Sequence, residues 1–217
     1  MVFNGRVIGI DESGKGDFFG PLVVAGCLAA DEDIALLSEL GVRDSKKIAE
    51  KKLLTIDEQL RSRFTHSVIV FAPEDYNRLY DEIRNLNILL AKGHARAIAG
   101  VLEQAKADLA VSDKFGKDER LLTALSEAGC RIPVKQLVRG EAVPQVAAAS
   151  IIARAEFVRQ MAGLSAEYGE TIPKGASKTV DAVGRKLVAR FGPEVLPRLA
   201  KLHFKNHQRV LTPDLFA

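Results

Sequence analysis

Two adjacent carboxylates, Asp11 and Glu12, follow the short apolar run Val7-Ile8-Gly9-Ile10 and precede Ser13-Gly14-Lys15-Gly16-Asp17-Phe18-Phe19-Gly20-Pro21. A second apolar run, Leu22 to Ala30, leads the chain away, so the stretch reads as strand, charged turn, strand. Carboxylates at the exit of a buried strand lie where low dielectric makes an uncompensated charge costly. A cationic partner is therefore expected, and a divalent metal is the obvious candidate. The plain alternative is a hairpin with a solvated acidic tip.

The same stretch spells G-x-x-x-x-G-K from Gly9 to Lys15, the opening of a phosphate-cradling P-loop. Three features argue against that chemistry. Gly16 stands where the loop needs a Ser or Thr hydroxyl, and Asp11 and Glu12 would lie inside the cradle and repel phosphate. The chain continues as Asp-Phe-Phe-Gly-Pro rather than as a helix, so no helix dipole faces the anion.

The elements that must position these residues can be read in order. Val7 to Ile10 and Leu22 to Ala29 read as buried, antiparallel strands. A charged amphipathic helix running to about Arg63 follows Gly41-Val42-Arg43-Asp44-Ser45-Lys46-Lys47, with Asp44 or Ser45 as its N-cap. His66 to Phe71 reads as a third strand. Pro73 opens a helix that breaks near Asn85 to Asn87, and a second helix, Ile88 to Ala105, has an apolar face interrupted by Lys92, His94 and Arg96. The run Leu109 to Val111 ends at Ser112-Asp113-Lys114, and a carboxylate at the end of a central strand is where an open α/β sheet places site residues. An ordinary turn aspartate is the alternative for Asp113. After a short helix, Asp118 to Ala128, the segment Ile132 to Val138 reads as an edge strand. Pro144 then opens a long helix to about Met161 whose run Val146 to Ala153 is apolar almost all round and must be buried. Its N-terminal end, with Glu141 just before it, is expected against the strand ends carrying Asp11 and Asp113. Two further helices are expected at about Thr179 to Phe191 and Glu194 to Leu202, before the basic segment His203 to Arg209 and a tail, Thr212 to Ala217. Phe204, interleaved with bases, suits either nucleobase stacking or core packing.

A chain of 217 residues that is 47% apolar is long enough for one substantial core and short for two full domains, so a single domain is expected over 1–217, its C-terminal helical part at about 164–217. Lys and Arg outnumber Asp and Glu by 31 to 28, a mild excess that permits a polyanionic partner. The bases cluster at Lys46, Lys47, Lys51 and Lys52 and again from Lys201 to Arg209. Solvated helix faces would produce the same clusters. Cys27 and Cys130 stand too far apart for a disulfide framework and have no neighbours at metal-ligand spacing. With no secretory leader and no apolar run near membrane-spanning length, a soluble cytoplasmic monomer without membrane or disulfide-linked partners is expected.

Together, Asp11-Glu12-Ser13-Gly14-Lys15-Gly16-Asp17 with Phe19-Gly20-Pro21, Asp44-Ser45-Lys46-Lys47, Ser112-Asp113, and Gly140-Glu141 ahead of Ala148-Ala149-Ser150-Ile151-Ile152-Ala153-Arg154 closely resemble the type 2 ribonucleases H. Lys15 in the glycine turn, Glu141, Pro173-Lys174-Gly175-Ala176-Ser177 and Lys201-Leu202-His203-Phe204 resemble the ribonuclease HIII group in particular. The resemblance runs from about residue 6 to residue 209. It implies a ribonuclease-H-like α/β fold with a central mixed five-stranded sheet flanked by helices, plus extra C-terminal helices. It implies endonucleolytic cleavage of the RNA strand of RNA/DNA hybrid duplexes, leaving 5′-phosphate and 3′-hydroxyl ends. By the same resemblance Asp11, Glu12, Asp113 and Glu141 would be the catalytic metal ligands. Four convergent carboxylates need cations, which is the physical reason to expect two Mg²⁺ or Mn²⁺ ions.

RNA is told from DNA by its 2′-hydroxyl, and the resemblance assigns that contact to Ser13, Gly14, Lys15 and Gly16. Lys46, Lys47, Lys174, Ser177 and Lys205 are candidates for contacts to the nucleic-acid backbone. Ribonuclease HIII usually carries an extra N-terminal substrate-binding domain, whereas here the catalytic motif begins within ten residues of Met1, so weaker hybrid binding is expected. Ribonuclease HII recognises a lone ribonucleotide through a C-terminal tyrosine, and no tyrosine in the C-terminal region matches it here, since Tyr168 precedes the Pro173 motif. Good cleavage of continuous hybrids and poor cleavage at a lone ribonucleotide are expected. The alternatives are incision of the ribonuclease HII kind and a non-catalytic nucleic-acid-binding module. Four carboxylates suit the second poorly, because without metals they repel phosphate.

Overall fold

The computed structural model describes residues 3–212; of the expected tail, residues 213–217 lie outside the described part. Five strands, β1 (Val7–Ser13), β2 (Leu22–Ala29), β3 (His66–Phe71), β4 (Leu109–Asp113) and β5 (Val134–Leu137), form one sheet in the order β3-β2-β1-β4-β5. β1 pairs antiparallel with β2 and parallel with β4, which pairs parallel with β5, so the sheet is mixed as expected. All eight residues of β2 are buried, which is why that strand reads as an unbroken apolar run.

The helices among the described residues are α1 (Ile34–Glu39), α2 (Glu50–Arg63), α3 (Pro73–Ile83), α4 (Leu86–Leu102), α5 (Asp118–Glu127), α6 (Pro144–Tyr168), α7 (Lys178–Phe191), α8 (Leu196–Leu199) and α9 (Lys205–Leu211). Two glycines show where α6 and α4 lie. A Cβ on Gly9 would strike the backbone of Gln145 and Val146 in α6, and one on Gly26 would come within 3.2 Å of the Ala97 carbonyl in α4. Gly26 pairs with Ile10, the residue after Gly9, and successive strand residues point to opposite faces. The small-residue face of α6 therefore covers one side of β1 and α4 the other.

Several boundaries differ from expectation. Asp11 and Glu12 lie within β1, opposite Ala25 and Val24, so the turn starts after Ser13. Asp44 caps a 3₁₀ turn, Ser45–Lys47, by accepting the Lys46 N–H at 3.1 Å, and α2 begins only at Glu50 with Ala49 as its cap. α1 is not expected from its short, weakly periodic sequence. α6 passes Met161 and ends at Tyr168, where Gly169 takes a left-handed conformation (φ 62°). In place of one helix over Glu194 to Leu202 there are a 3₁₀ turn, Pro193–Val195, and the single turn of α8. Ala200 is extended and forms a β-bridge to Phe19, a tertiary pairing that overrides local helical preference.

The chain forms two compact units. Among the described residues, one gathers 3–13, Val23–Ile69 and Asn85–Glu156; the other gathers Gly14–Leu22, Val70–Arg84 and 157–212. The first holds most of the sheet with α1, α2, α4 and α5; the second holds α3, α7, α8 and α9. No helix among the described residues is long and apolar enough to cross a membrane. Cys27 and Cys130 are both free thiols.

Candidate active site

Strand alternation distributes the first two carboxylates. Asp11 shares the α6 face with Gly9, and Glu12 shares the α4 face with Ile10, and each meets a polar residue of the helix it faces. On the α6 side the Ser150 hydroxyl donates to the Asp11 carboxylate. Ser150 Oγ also lies 2.9 Å from Ser45 Oγ, a hydrogen bond that either hydroxyl can donate. The Arg154 guanidinium donates to the Ser45 carbonyl. The Asp44-Ser45-Lys46-Lys47 motif is thereby tied to α6 through buried Ser45, with Lys46 and Lys47 exposed beside it and Lys47 within 3.5 Å of Asp44.

On the α4 side, His94 Nε2 lies 3.1 Å from Glu12 Oε2. His94 is fully buried, its Nδ1 has no hydrogen-bond partner, and its ring packs against Phe115 at 4.5 Å. In the sequence His94 stands only as an interruption of an apolar face. Neither it nor Ser150 carries a local signal of contact with the acidic pair.

β4 brings the third carboxylate. Ser112 pairs in parallel register with Ile10, so Asp113, the last residue of β4, comes level with Asp11 inside the adjacent parallel strand β1. Asp113 Oδ1 accepts the Gly140 N–H at 2.8 Å. A Cβ on residue 140 would come within 2.8 Å of the Asp113 Cα, which accounts for glycine there. The Asp11 carboxyl is pushed up from 3.8 to about 7, first by burial and then by the Glu12 and Asp113 charges; the Ser150 hydroxyl and the Glu12 N–H, 2.8 Å from Asp11 Oδ1, pull it partly back. Asp11, Glu12 and Asp113 thus form one electrostatic group.

Glu141 is exposed, one residue after buried Gly140 in the 3₁₀ turn Gly140–Ala142, and lines a groove with Arg43, Pro144 and Ala147. Among the described residues no three of His, Cys, Asp and Glu stand close enough to enclose a metal ion. The oxygen-only donor set nevertheless fits a hard cation, because Mg²⁺-type sites commonly draw on one or two carboxylates and complete their shell with substrate phosphate and water.

The remaining candidates lie elsewhere along the chain. Ser13 ends β1, and Gly14, Lys15, Gly16 and Asp17 form a turn closed by Asp17 N–H on the Gly14 carbonyl at 3.3 Å. Gly14 has φ +88°, and a Cβ there would meet the Pro21 carbonyl and the Phe157 ring. Gly16 has neither constraint, with nothing within 4 Å of an added Cβ. Lys174 and Ser177 are exposed, Ser177 at the N-cap of α7, and Lys205 is exposed at the start of α9. Phe204 is half-buried with its ring 6.3 Å from Phe18, which favours packing over free stacking. Tyr168 is buried and packs edge-on against Phe191 at 5.4 Å.

The family model described as Ribonuclease HII matches residues 8–207. A ribonuclease HIII of Chlamydia felis is 41% identical over 206 residues, covering 94% of this chain and 69% of that protein. The crystal structure of Bst-RNase HIII in complex with Mn²⁺ superposes with a TM-score of 0.89 at 34% identity, covering 95% of this chain and 69% of that one. Aquifex aeolicus RNase H3 superposes with a TM-score of 0.75 at 30% identity, covering 90% of this chain and 71% of that one. The chain thus belongs to the ribonuclease HII family and is similar over nearly its whole length to ribonucleases HIII.

Proposed function

We propose that this chain hydrolyses the RNA strand of RNA/DNA hybrids as a divalent-metal-dependent endoribonuclease, leaving 5′-phosphate and 3′-hydroxyl ends. The observation that carries the reading is the pair Asp11 and Asp113, level on the adjacent parallel strands β1 and β4, with Glu12 beside them and held by His94. Three carboxylates in mutual repulsion are costly to ionise together and favour a cation among them. Bound Mg²⁺ or Mn²⁺, two ions in this reading, would supply a deprotonated water and neutralise charge developing on the scissile phosphate. The chain's own groups orient the ligands: Ser150 holds Asp11, the Gly140 N–H holds Asp113 Oδ1, and His94 holds Glu12 Oε2. Glu141, one residue beyond Gly140, completes the proposed set of four.

Ser13, Gly14, Lys15 and Gly16 are proposed to read the 2′-hydroxyl. Gly16 supports this, because nothing inside the protein requires a glycine there and an approaching ribose would. Lys46, Lys47, Lys174, Ser177 and Lys205 would contact the backbone phosphates. The whole chain would act as one catalytic domain, working as a cytoplasmic monomer. Burial of Tyr168 against Phe191 favours continuous hybrids over a lone ribonucleotide, since that ring is not presented to a substrate.

Strand cleavage of three labelled duplexes with Mg²⁺ or Mn²⁺ tests the reading: an RNA/DNA hybrid, a DNA duplex with one ribonucleotide, and all DNA, each beside Asp11→Asn. Cutting of the hybrid alone, lost in the variant, is expected. Equal cutting at the single ribonucleotide would place the activity with ribonuclease HII, and metal-independent hybrid binding with no cleavage would indicate a binding module.

A further inference from the structure

Lys201 is an unusual residue to find with no exposed surface. Its Nζ donates to the carbonyls of Asp17 at 2.8 Å and Gly20 at 2.6 Å and lies 3.4 Å from that of Phe19. It also lies over the Tyr76 ring, 5.7 Å from the centroid. All three carbonyls belong to the segment that continues directly from the glycine turn.

Backbone contacts tie the same segment from both sides. Lys201 N–H donates to the Phe18 carbonyl at 2.8 Å and Gly20 N–H to the Leu199 carbonyl at 2.8 Å, around the bridge between Phe19 and Ala200. Gly175 N–H donates to Asp17 Oδ1 at 2.6 Å, and Phe18 N–H donates to the Gly175 carbonyl at 2.9 Å. The turn Gly14–Asp17 is thus braced by Gly175, and Lys201 closes the curl of carbonyls behind it.

An ammonium so enclosed is costly, and burial pushes Lys201 from 10.5 down to about 7, with only the Asp17 carboxylate pulling it back. An apolar residue would fill a purely structural position at lower cost. The curl supplies the reason for a lysine: three carbonyls turned to one point repel each other, and only a flexible cationic donor satisfies them together.

We propose that Lys201 is a positioning residue for recognition of RNA: by gathering the carbonyls of Asp17, Phe19 and Gly20 it holds the Gly14–Asp17 turn in the shape that reads the 2′-hydroxyl. The proposal rests on the nuclease reading above. It makes a fully buried residue far along the chain a determinant of which phosphodiester is cut.

The test uses the full chain with Lys201→Met, which keeps length and apolar bulk and removes every donor, and Lys201→Gln, which keeps an N–H. The substrate is an RNA/DNA hybrid whose RNA strand carries one deoxynucleotide. Wild type should cut the RNA strand but skip the phosphodiester read through the missing 2′-hydroxyl. Lys201→Met should cut about 100-fold more slowly, with the skip weakened and Mn²⁺ affinity by titration calorimetry unchanged, and Lys201→Gln should be intermediate. A slower variant that keeps the skip intact would show a role in stability alone and overturn the proposal. So would wild-type rates in either variant, and if Lys201→Met does not fold, Lys201→Gln decides by the same two readouts. A wild-type chain that cuts no duplex with Mn²⁺ fails the nuclease reading itself, and this proposal with it.

Discussion

Replacing Asp11 by Asn should abolish cleavage and at the same time stabilise the protein in the absence of divalent metal. The Asp11 carboxyl is raised from 3.8 to about 7 by burial and by the charges of Glu12 and Asp113. Between those values the native state holds a proton that the unfolded state has released, so stability falls as pH rises from about 4 to about 7 and stays low above that. At roughly 1.4 kcal/mol per pH unit, a rise of about three units costs at most about 4 kcal/mol at pH 8. Asn keeps the oxygen that accepts the Glu12 N–H and removes the charge. Allowing for imperfect pairing of its amide, a gain of about 2 kcal/mol remains, or about 4–8 °C in melting temperature for a chain of this size. The assay is thermal unfolding in chelator at pH 4 and pH 8. Asp11→Asn should melt higher at pH 8 and together with wild type at pH 4, and adding Mn²⁺ should raise wild type more than the variant. Equal melting-temperature differences at the two pH values, or a less stable variant at pH 8, would refute the electrostatic grouping of Asp11 with Glu12 and Asp113.

The two glycines of the turn should separate. Gly14→Ala must place a Cβ at φ +88° against Pro21 and Phe157 and should lose about 1–3 kcal/mol by urea unfolding. Gly16→Ala should be as stable as wild type to within about 0.5 kcal/mol and yet cleave hybrids at least about tenfold more slowly; wild-type cleavage would remove Gly16 from ribose recognition. His94→Ala should lower Mn²⁺ affinity or activity about 10–100-fold by releasing Glu12. His94→Gln, whose amide reaches nearly as far as Nε2, should restore part of the loss, and no rescue would indicate packing against Phe115 as the main role. Ser150→Ala should cost about 1–2 kcal/mol in urea unfolding, because it severs both the Asp11 bond and the link to Ser45; an unchanged midpoint would mean water substitutes for the hydroxyl.

The range of the forces involved decides how much of the site is legible in the chain. β1, β2 and β4 can be read because strands buried on both faces are apolar over most of their length, so Asp11 and Glu12 after the apolar run of β1 and Asp113 at the end of β4 stand out. Alternation along β1 even implies that Asp11 and Glu12 face different helices. It does not say which residue waits on each. His94 is 82 positions from Glu12, and its one local sign, a polar residue on an apolar face, is shared by its neighbours Lys92 and Arg96. Lys201 is obscured in the opposite way, since it sits at the head of a basic segment and looks like one more solvated lysine. Its burial is decided by a β-bridge between Phe19 and Ala200 that no periodicity announces. The same bridge ends α8 after a single turn and displaces the helix expected there. Failure of the expected helix and burial of the lysine thus share one cause, the pairing of the Phe18–Gly20 segment with residues 199–201. Where local preference gives way like this, something else must repay the loss, and here the paired segment is the one that leads out of the turn assigned to recognising RNA.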